Sequence, residues 1–483
     1  MSTRPVRTRT LMTALLSACV AFQLNASMLS PVLPTLAREL KTDSVTAGLS
    51  QTAFFTSACV FAVFVPRLSD IAGRRRTLVV TLGLSAVGSV LAALSPTIEV
   101  LYIARILQGC CGPVIAICLL MLRDAVPEPR RYGTLMGVVT AVNGGIAGVD
   151  VIVGGAIATR LGFRPVFWLM AVAAVVAMIL VRLQAPETRP SAGARMDWLG
   201  VGPLVVGIGT LLIALGEVGK LDAANWLLVG VLAVLSLGAF GCFHWVEGIT
   251  SQPLVSRAQL RHRATWSLLL TTTLTLTGVF AAINGLVVSF AQDTRVGFGI
   301  NSDTTSLLLL TPYALIGWLI GPLAGRLAPR RGYLWVLRVG LAGSVVTLTL
   351  IATVGLRSLA LLIAGAVLLG IAYAGMANIM LNGLAVVLSG ERNPGFLPGI
   401  NTGAFNLGAG LSFAVLPVVQ IAIDHGGSPT IGGYAGGIGV GAGIVAAALA
   451  SSYLIPRPAA AELPEPRHAE SDLALSSEAI GPT

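Results

Sequence analysis

Apolar runs, each long enough to cross a hydrocarbon core of about 30 Å as a helix, recur from Leu11 to Leu454. Inside hydrocarbon a single segment must satisfy its own backbone hydrogen bonds, so every such run reads as an α-helix. Of the 483 residues, 55% are hydrophobic and 11% charged, a balance outside that of water-soluble domains. The fold class this implies is an all-α membrane protein.

Taking charged or Gly/Pro-rich breaks as loops places helices near 11–33, 46–66, 77–95, 99–121, 134–157, 166–184, 198–216 and 226–246. A second set falls near 264–290, 304–325, 333–355, 358–388, 397–422 and 432–454, which makes about fourteen. Arg4, Arg7 and Arg9 before Leu11 resemble a secretory signal, but the run continues past Met28 and a retained first helix is expected. With the N-terminus inside, 22 basic residues fall on cytoplasmic segments and 7 on outer loops, with Arg105 and Arg338 inside helices. This is the positive-inside pattern of a multi-pass inner (plasma) membrane protein with both termini cytoplasmic. The formal charge of +10 is thereby a topology signal, not a nucleic-acid surface.

The segment 247–263 is too polar to span and suits the membrane surface as a linker. Beyond Pro456 the chain is rich in Ala, Pro, Glu and Ser, and residues 456–483 read as a disordered cytoplasmic tail. One repeat is visible: Pro66-Arg-Leu-Ser-Asp-Ile-Ala-Gly73 and Gly325-Arg-Leu-Ala-Pro-Arg-Arg-Gly332 share x-Arg-Leu-x-x-x-x-Gly at an offset of 259 residues. That offset equates helix 2 with helix 10, as in two six-helix halves with two helices inserted between them. The expected organisation is an N-terminal bundle over 1–190, an inserted pair over 191–246, the linker, and a C-terminal bundle over 264–455.

The loop Pro66–Arg76 resembles the G-x-L-x-D-x-x-G-R-[KR]-[KR] motif of the major facilitator superfamily, with proline in place of the first glycine. Asp70, Gly73, Arg74 and Arg75 match it, and the resemblance implies a gating loop held by charge-assisted contacts. Arg105 with Gly109 is similar to the family's R-x-x-x-G element, whose arginine is implicated in proton coupling. Asp197-Trp-Leu-Gly200 resembles the opening of the inserted pair in the fourteen-helix drug/proton antiporter branch. Two motifs of that branch are altered. Asn25 stands where its first helix carries an acid, and Asp150-Val-Ile-Val-Gly-Gly155 replaces G-P-x-x-G-G in helix 5.

An amide can bind substrate but cannot exchange a proton, so coupling needs another group. Asp150 is the candidate, with Arg105 as its expected partner; a fixed structural ion pair is the competing reading. An arginine deep in hydrocarbon costs about 2.5 kcal/mol or more unless it finds a partner or water. By helix position, Asn25, Gln108, Asn284, Asn378 and Asn382 are the candidates for a substrate cavity. Asn378 and Asn382 share a helical face, where packing between helices is an equal explanation. The glycines of the last helix, from Gly432 to Gly443, suggest close packing.

The six cysteines lie inside apolar runs without metal or disulfide spacing and are expected to be free and buried, and the four histidines are scattered. No cofactor, no metal and no enzymatic site is expected. The resemblance implies a monomeric secondary transporter of a small molecule, with protons as partner ion, working by alternating access and exporting amphipathic drugs or metabolites. An importer or facilitator on the same fold is the alternative, and a non-transporting sensor the third reading. Asn25 in place of the acid favours neutral or anionic substrates over cations.

Overall fold

The computed structural model describes residues 8–126, 128–187, 196–218, 224–250, 257–389, 396–424 and 428–457. The expected tail lies outside these residues save for its first two, as do Arg4, Arg7, Arg189, Arg195, Lys220 and Arg392. Thirteen helices among the described residues are long and apolar enough to span. With them stands a 33-residue helix, Pro129–Leu161, which carries Asp150 and is not among the thirteen. Numbered in chain order, α1 is Thr8–Glu39, α2 Thr46–Ala72, α3 Arg74–Ala93, α4 Ile98–Ala125, α5 Pro129–Leu161 and α6 Arg164–Gln184. The pair α7, Trp198–Val218, and α8, Trp226–Ile249, follows. Then come α9 Arg263–Gln292, α10 Ser302–Ala328, α11 Tyr333–Arg357, α12 Leu359–Val387, α13 Leu397–Ile423 and α14 Ile431–Leu454.

Within the first six helices, α3 packs on α6, α2 on α4, α1 on α6 and α1 on α5. Adding eight to each number gives α11 on α14, α10 on α12, α9 on α14 and α9 on α13, and all four pairs are in contact. The short sequence repeat is therefore the trace of a repeated six-helix bundle. Its two glycines take the same backbone conformation, Gly73 at φ 96° and ψ 133°, Gly332 at φ 95° and ψ 136°. Only a residue without Cβ enters that region readily, which is why glycine closes the motif both times. The halves meet where α2 packs on α13 and α5 on α10, while α7 pairs with α8 and also touches α2 and α13.

Large apolar side chains stay exposed along α6, α7 and α8, including Val172, Val176, Leu199, Ile213, Val234 and Leu237. In water such faces would be patches of adhesion; in a bilayer they are the lipid surface. Among the described residues of the expected linker, 247–249 continue α8 and a five-residue helix, Arg257–Arg261, precedes α9. Three helices depart from α geometry by π turns, at Ala282–Val287 in α9, Ser306–Leu310 in α10 and Gly370–Ala377 in α12. Such turns concentrate at functional positions, because the widened ladder re-aims side chains and backbone groups. The cysteines are free; Cys242 of α8 is exposed and departs from the expected burial, since that helix presents most of its surface outward.

Candidate functional site

The first helix does not run unbroken. After Ser27 it gives way to a 3-10 turn over Ser30–Val32 that contains Pro31, which cannot donate to the ladder. A helix end leaves carbonyls without helical partners, and Arg105 of α4 takes one of them, the oxygen of Asn25, at 3.2 Å. Arg105 is fully buried. Its Nη1 donates to Gln108 Oε1 at 2.7 Å, its Nη2 also to Gln51 Oε1, and its Nε to the Ser50 carbonyl at 3.4 Å. The guanidinium lies 4.4 Å from the centre of the Phe54 ring. Gln108 in turn donates to Ser89 at 2.9 Å. The charge is thus dispersed over neutral dipoles and an aromatic face, which solves the solvation problem without a carboxylate.

Asp150 of α5 is buried, with 3% of its surface exposed. Its Oδ2 lies 2.6 Å from the Ser27 hydroxyl, whose single hydrogen has that carboxylate and the Gln23 carbonyl at 3.1 Å as competing acceptors, and whose oxygen accepts from Gln23 Nε2 at 2.8 Å. Its Oδ1 has no hydrogen-bond partner among the described residues. The expected Arg105–Asp150 pair does not form. Asn25 and Ser27 are two residues apart, about 200° around a helix, so α1 presents them on opposite sides. Arg105 is held at the Asn25 backbone carbonyl and by amides of α2 and α4, and Asp150 at the Ser27 hydroxyl.

The remaining candidates separate in the same way. Asn25 donates to the Ala21 carbonyl at 2.9 Å and leaves its Oδ1 buried without a partner. Asn284 sits in the π turn of α9 and donates to the Phe280 carbonyl at 3.0 Å. Asn382 donates to Asn378 O at 2.9 Å and to Asn378 Oδ1 at 3.3 Å, so these two bond within α12 and not to a facing helix. Gln51 was not legible as a site residue, although an amide in an apolar run is the signal that marks it. The same holds for Asn406 of α13, whose Nδ2 and Oδ1 are both buried without a partner among the described residues. The Tyr373 hydroxyl, in the π turn of α12, likewise has no partner among them.

Aromatic rings cross between the halves. Phe55 of α2 stands edge-on to Phe280 of α9 at 5.1 Å, and Phe280 meets Phe405 and Phe413 of α13 at 6.2 and 6.0 Å. At one end of the bundle the halves are joined by hydrogen bonds. Thr35 and Ser302 hydroxyls lie 3.4 Å apart, Gln292 donates to the Pro31 carbonyl at 3.1 Å, and Thr159 donates to Asp303 at 3.3 Å. An open cavity of about 870 Å³ lies at that end, lined by Arg38, Asp43, Gln292, Asn301 and Tyr434 among others.

The loop after α2 ties four helix ends of one half together. Arg74 bridges Asp70 at 3.1 Å and Asp124, and donates to the Leu120 carbonyl at 2.8 Å. Arg75 reaches Glu187 at 3.3 Å by its side chain and 3.1 Å by its backbone N–H. A Cβ on Gly73 would stand 2.6 Å from that carboxylate, the movable end of a flexible side chain, so it is the positive φ that requires glycine here.

The profile of the Major Facilitator Superfamily matches residues 15–413. Among curated proteins, the chain is 46% identical to the uridine/deoxyuridine transporter of Lactococcus lactis, over 92% of this chain and 94% of that one. The multidrug resistance protein Stp of Mycobacterium tuberculosis is 25% identical, over 83% of this chain and 73% of its own. Among solved structures, the human organic anion transporter MFSD10 has a TM-score of 0.64 at 16% identity, covering 94% of this chain and all of that one. A point mutant of the nucleoside transporter NupG has a TM-score of 0.58 at 14% identity, covering 92% and 99%. At those identities the structures speak to fold alone. These relatives do not show the fourteen-helix drug/proton antiporter branch that the helix-7 motif suggests: the multidrug resistance protein stands at 25% identity and the uridine/deoxyuridine transporter at 46%. The family profile over residues 15–413, the repeated bundle among the described residues and a relative 46% identical along nearly all of both chains carry one conclusion: the chain belongs to the Major Facilitator Superfamily.

Proposed function

We propose that this protein imports a nucleoside-like neutral solute, with uridine and deoxyuridine as the leading substrates. The observation that carries this reading is 46% identity along nearly the whole of both chains to a uridine/deoxyuridine transporter. The chemistry between the helices agrees: amides and hydroxyls predominate, and the charge of Arg105 is solvated by neighbouring amides and the Phe54 ring. Aromatic rings at the meeting of the halves offer faces for a planar base.

Asp150 is the group that couples this import to protons. Its one free oxygen can hold a proton while Ser27 fixes the other, and an acid placed in a span is a functional candidate by default. The gating loop Asp70–Arg75 serves the opening and closing of the halves, not the choice of substrate. The test is uptake of radiolabelled uridine by bacteria lacking their own nucleoside carriers, with and without this chain and with and without a protonophore. Saturable uptake that the protonophore abolishes is expected. Absence of uridine uptake, together with loss of a preloaded amphipathic dye, would instead establish export.

A further inference from the structure

Resting on the reading just given, we infer that Asn406 of α13 is the residue that recognises the base, pairing its amide with the adjacent N–H and C=O of a uracil-type ring. Asn406 is fully buried, and both its donor and its acceptor lack partners among the described residues. Leaving both unpaired incurs the desolvation of two polar groups, which folded proteins ordinarily avoid. Its neighbour Asn401 shows the ordinary arrangement, accepting a 2.8 Å hydrogen bond from Thr272 of α9. Asn406 therefore has no such structural tie and keeps its capacity for a ligand.

Its position fits that role. Gly403, Asn406, Gly410 and Phe413 follow one face of α13 at helical spacing. Gly410 faces Phe55 of α2, where an added Cβ would come within 3.3 Å, and Gly403 faces Val63, where it would stay 3.9 Å away. Asn406 lies between them, on the surface where the two halves meet. Glycine on either side withdraws bulk from that face, and the contact at Gly403 is loose. Phe413 on the same face and Phe280 beside it, 6.0 Å apart, supply apolar rings for a base to stack on.

The chemistry of the occupant follows from the amide itself. Asparagine presents one donor and one acceptor side by side, and the complement is another planar group with acceptor and donor adjacent. A carboxylate has no donor, and the vicinal diol that would offer both is lacking in deoxyuridine. The lactam edge of uracil, N3–H beside a carbonyl, does.

The experiment is competition for labelled uridine uptake by 3-methyluridine, in which N3 carries a methyl in place of hydrogen. With the unsubstituted protein, 3-methyluridine should compete at least about tenfold more weakly than uridine, because the amide oxygen loses its donor. Asn406→Leu should weaken uridine by at least about tenfold and bring the two compounds level. A second measurement covers a leucine variant that fails to insert. Asn406→Cys should be shielded from a thiol reagent by saturating uridine, scored against the unsubstituted chain with its six cysteines. Equal competition by the two compounds in the unsubstituted protein, no shielding of Asn406→Cys by uridine, or discrimination preserved in Asn406→Leu would each overturn the assignment. No uridine uptake by the unsubstituted protein would instead remove the transport reading on which the assignment rests.

Discussion

At the scale of single residues, polar groups inside apolar runs were visible in the sequence, but their partners were not. Asp150 stands out as an acid in a span, and so does Arg105 as a buried base. Nothing in the chain order says that Asp150 meets a hydroxyl on α1 while Arg105 meets amides on α2 and α4. The split follows from the break in α1, which leaves the Asn25 backbone carbonyl to Arg105, while the Ser27 hydroxyl meets Asp150. Asp150→Asn keeps shape and can keep a hydrogen bond with Ser27, while it removes the ability to bind and release a proton. Uridine exchange down its own gradient should persist in that variant, and accumulation driven by an imposed pH gradient should be lost. Undiminished pH-driven accumulation would exclude Asp150 from coupling.

Between helices, the glycines of α14 were readable as a packing surface, yet only some of them serve as one. A Cβ on Gly441 would lie 2.5 Å from the Gly278 carbonyl of α9, and a Cβ on Gly278 would lie 2.5 Å from the Gly441 carbonyl. The two backbones touch there, whereas Gly439 and Gly443 have nothing within 4 Å. Gly441→Leu should therefore destabilise the protein by about 1–3 kcal/mol or more through overpacking. Gly443→Leu should leave stability within the usual range for surface changes, about 0.5 kcal/mol either way. Thermal unfolding of the two variants in detergent checks the contrast; equal melting temperatures would mean that the α9–α14 contact does not limit side-chain size. Sequence alone shows seven glycines, and only the crossing of α9 over α14 selects among them.

For the whole molecule, the repeat at Pro66 and Gly325 was a short signal that matched a large regularity. Equal φ and ψ at Gly73 and Gly332, and four helix pairings that recur eight helices later, give that regularity its physical form. Alternating access requires the halves to part at one end and then the other, so contacts that join them must break in each cycle. Thr35→Cys with Ser302→Cys places two thiols where hydroxyls now lie 3.4 Å apart, on α1 and α10. Oxidising that pair should stop uridine uptake, and reduction should restore it; transport undisturbed by a formed cross-link would show that this end stays shut throughout. The apolar runs, the distribution of arginine and the loop motif were enough by themselves to determine a polytopic helical bundle of this family, because bilayer thickness and charge placement act locally along the chain. The opposite allegiances of Arg105 and Asp150, the unpaired amide of Asn406 and the aromatic bridge from Phe55 to Phe413 were decided only by tertiary structure. Each depends on the rotation of one helix about its axis against another, and a uniformly apolar run leaves that rotation open.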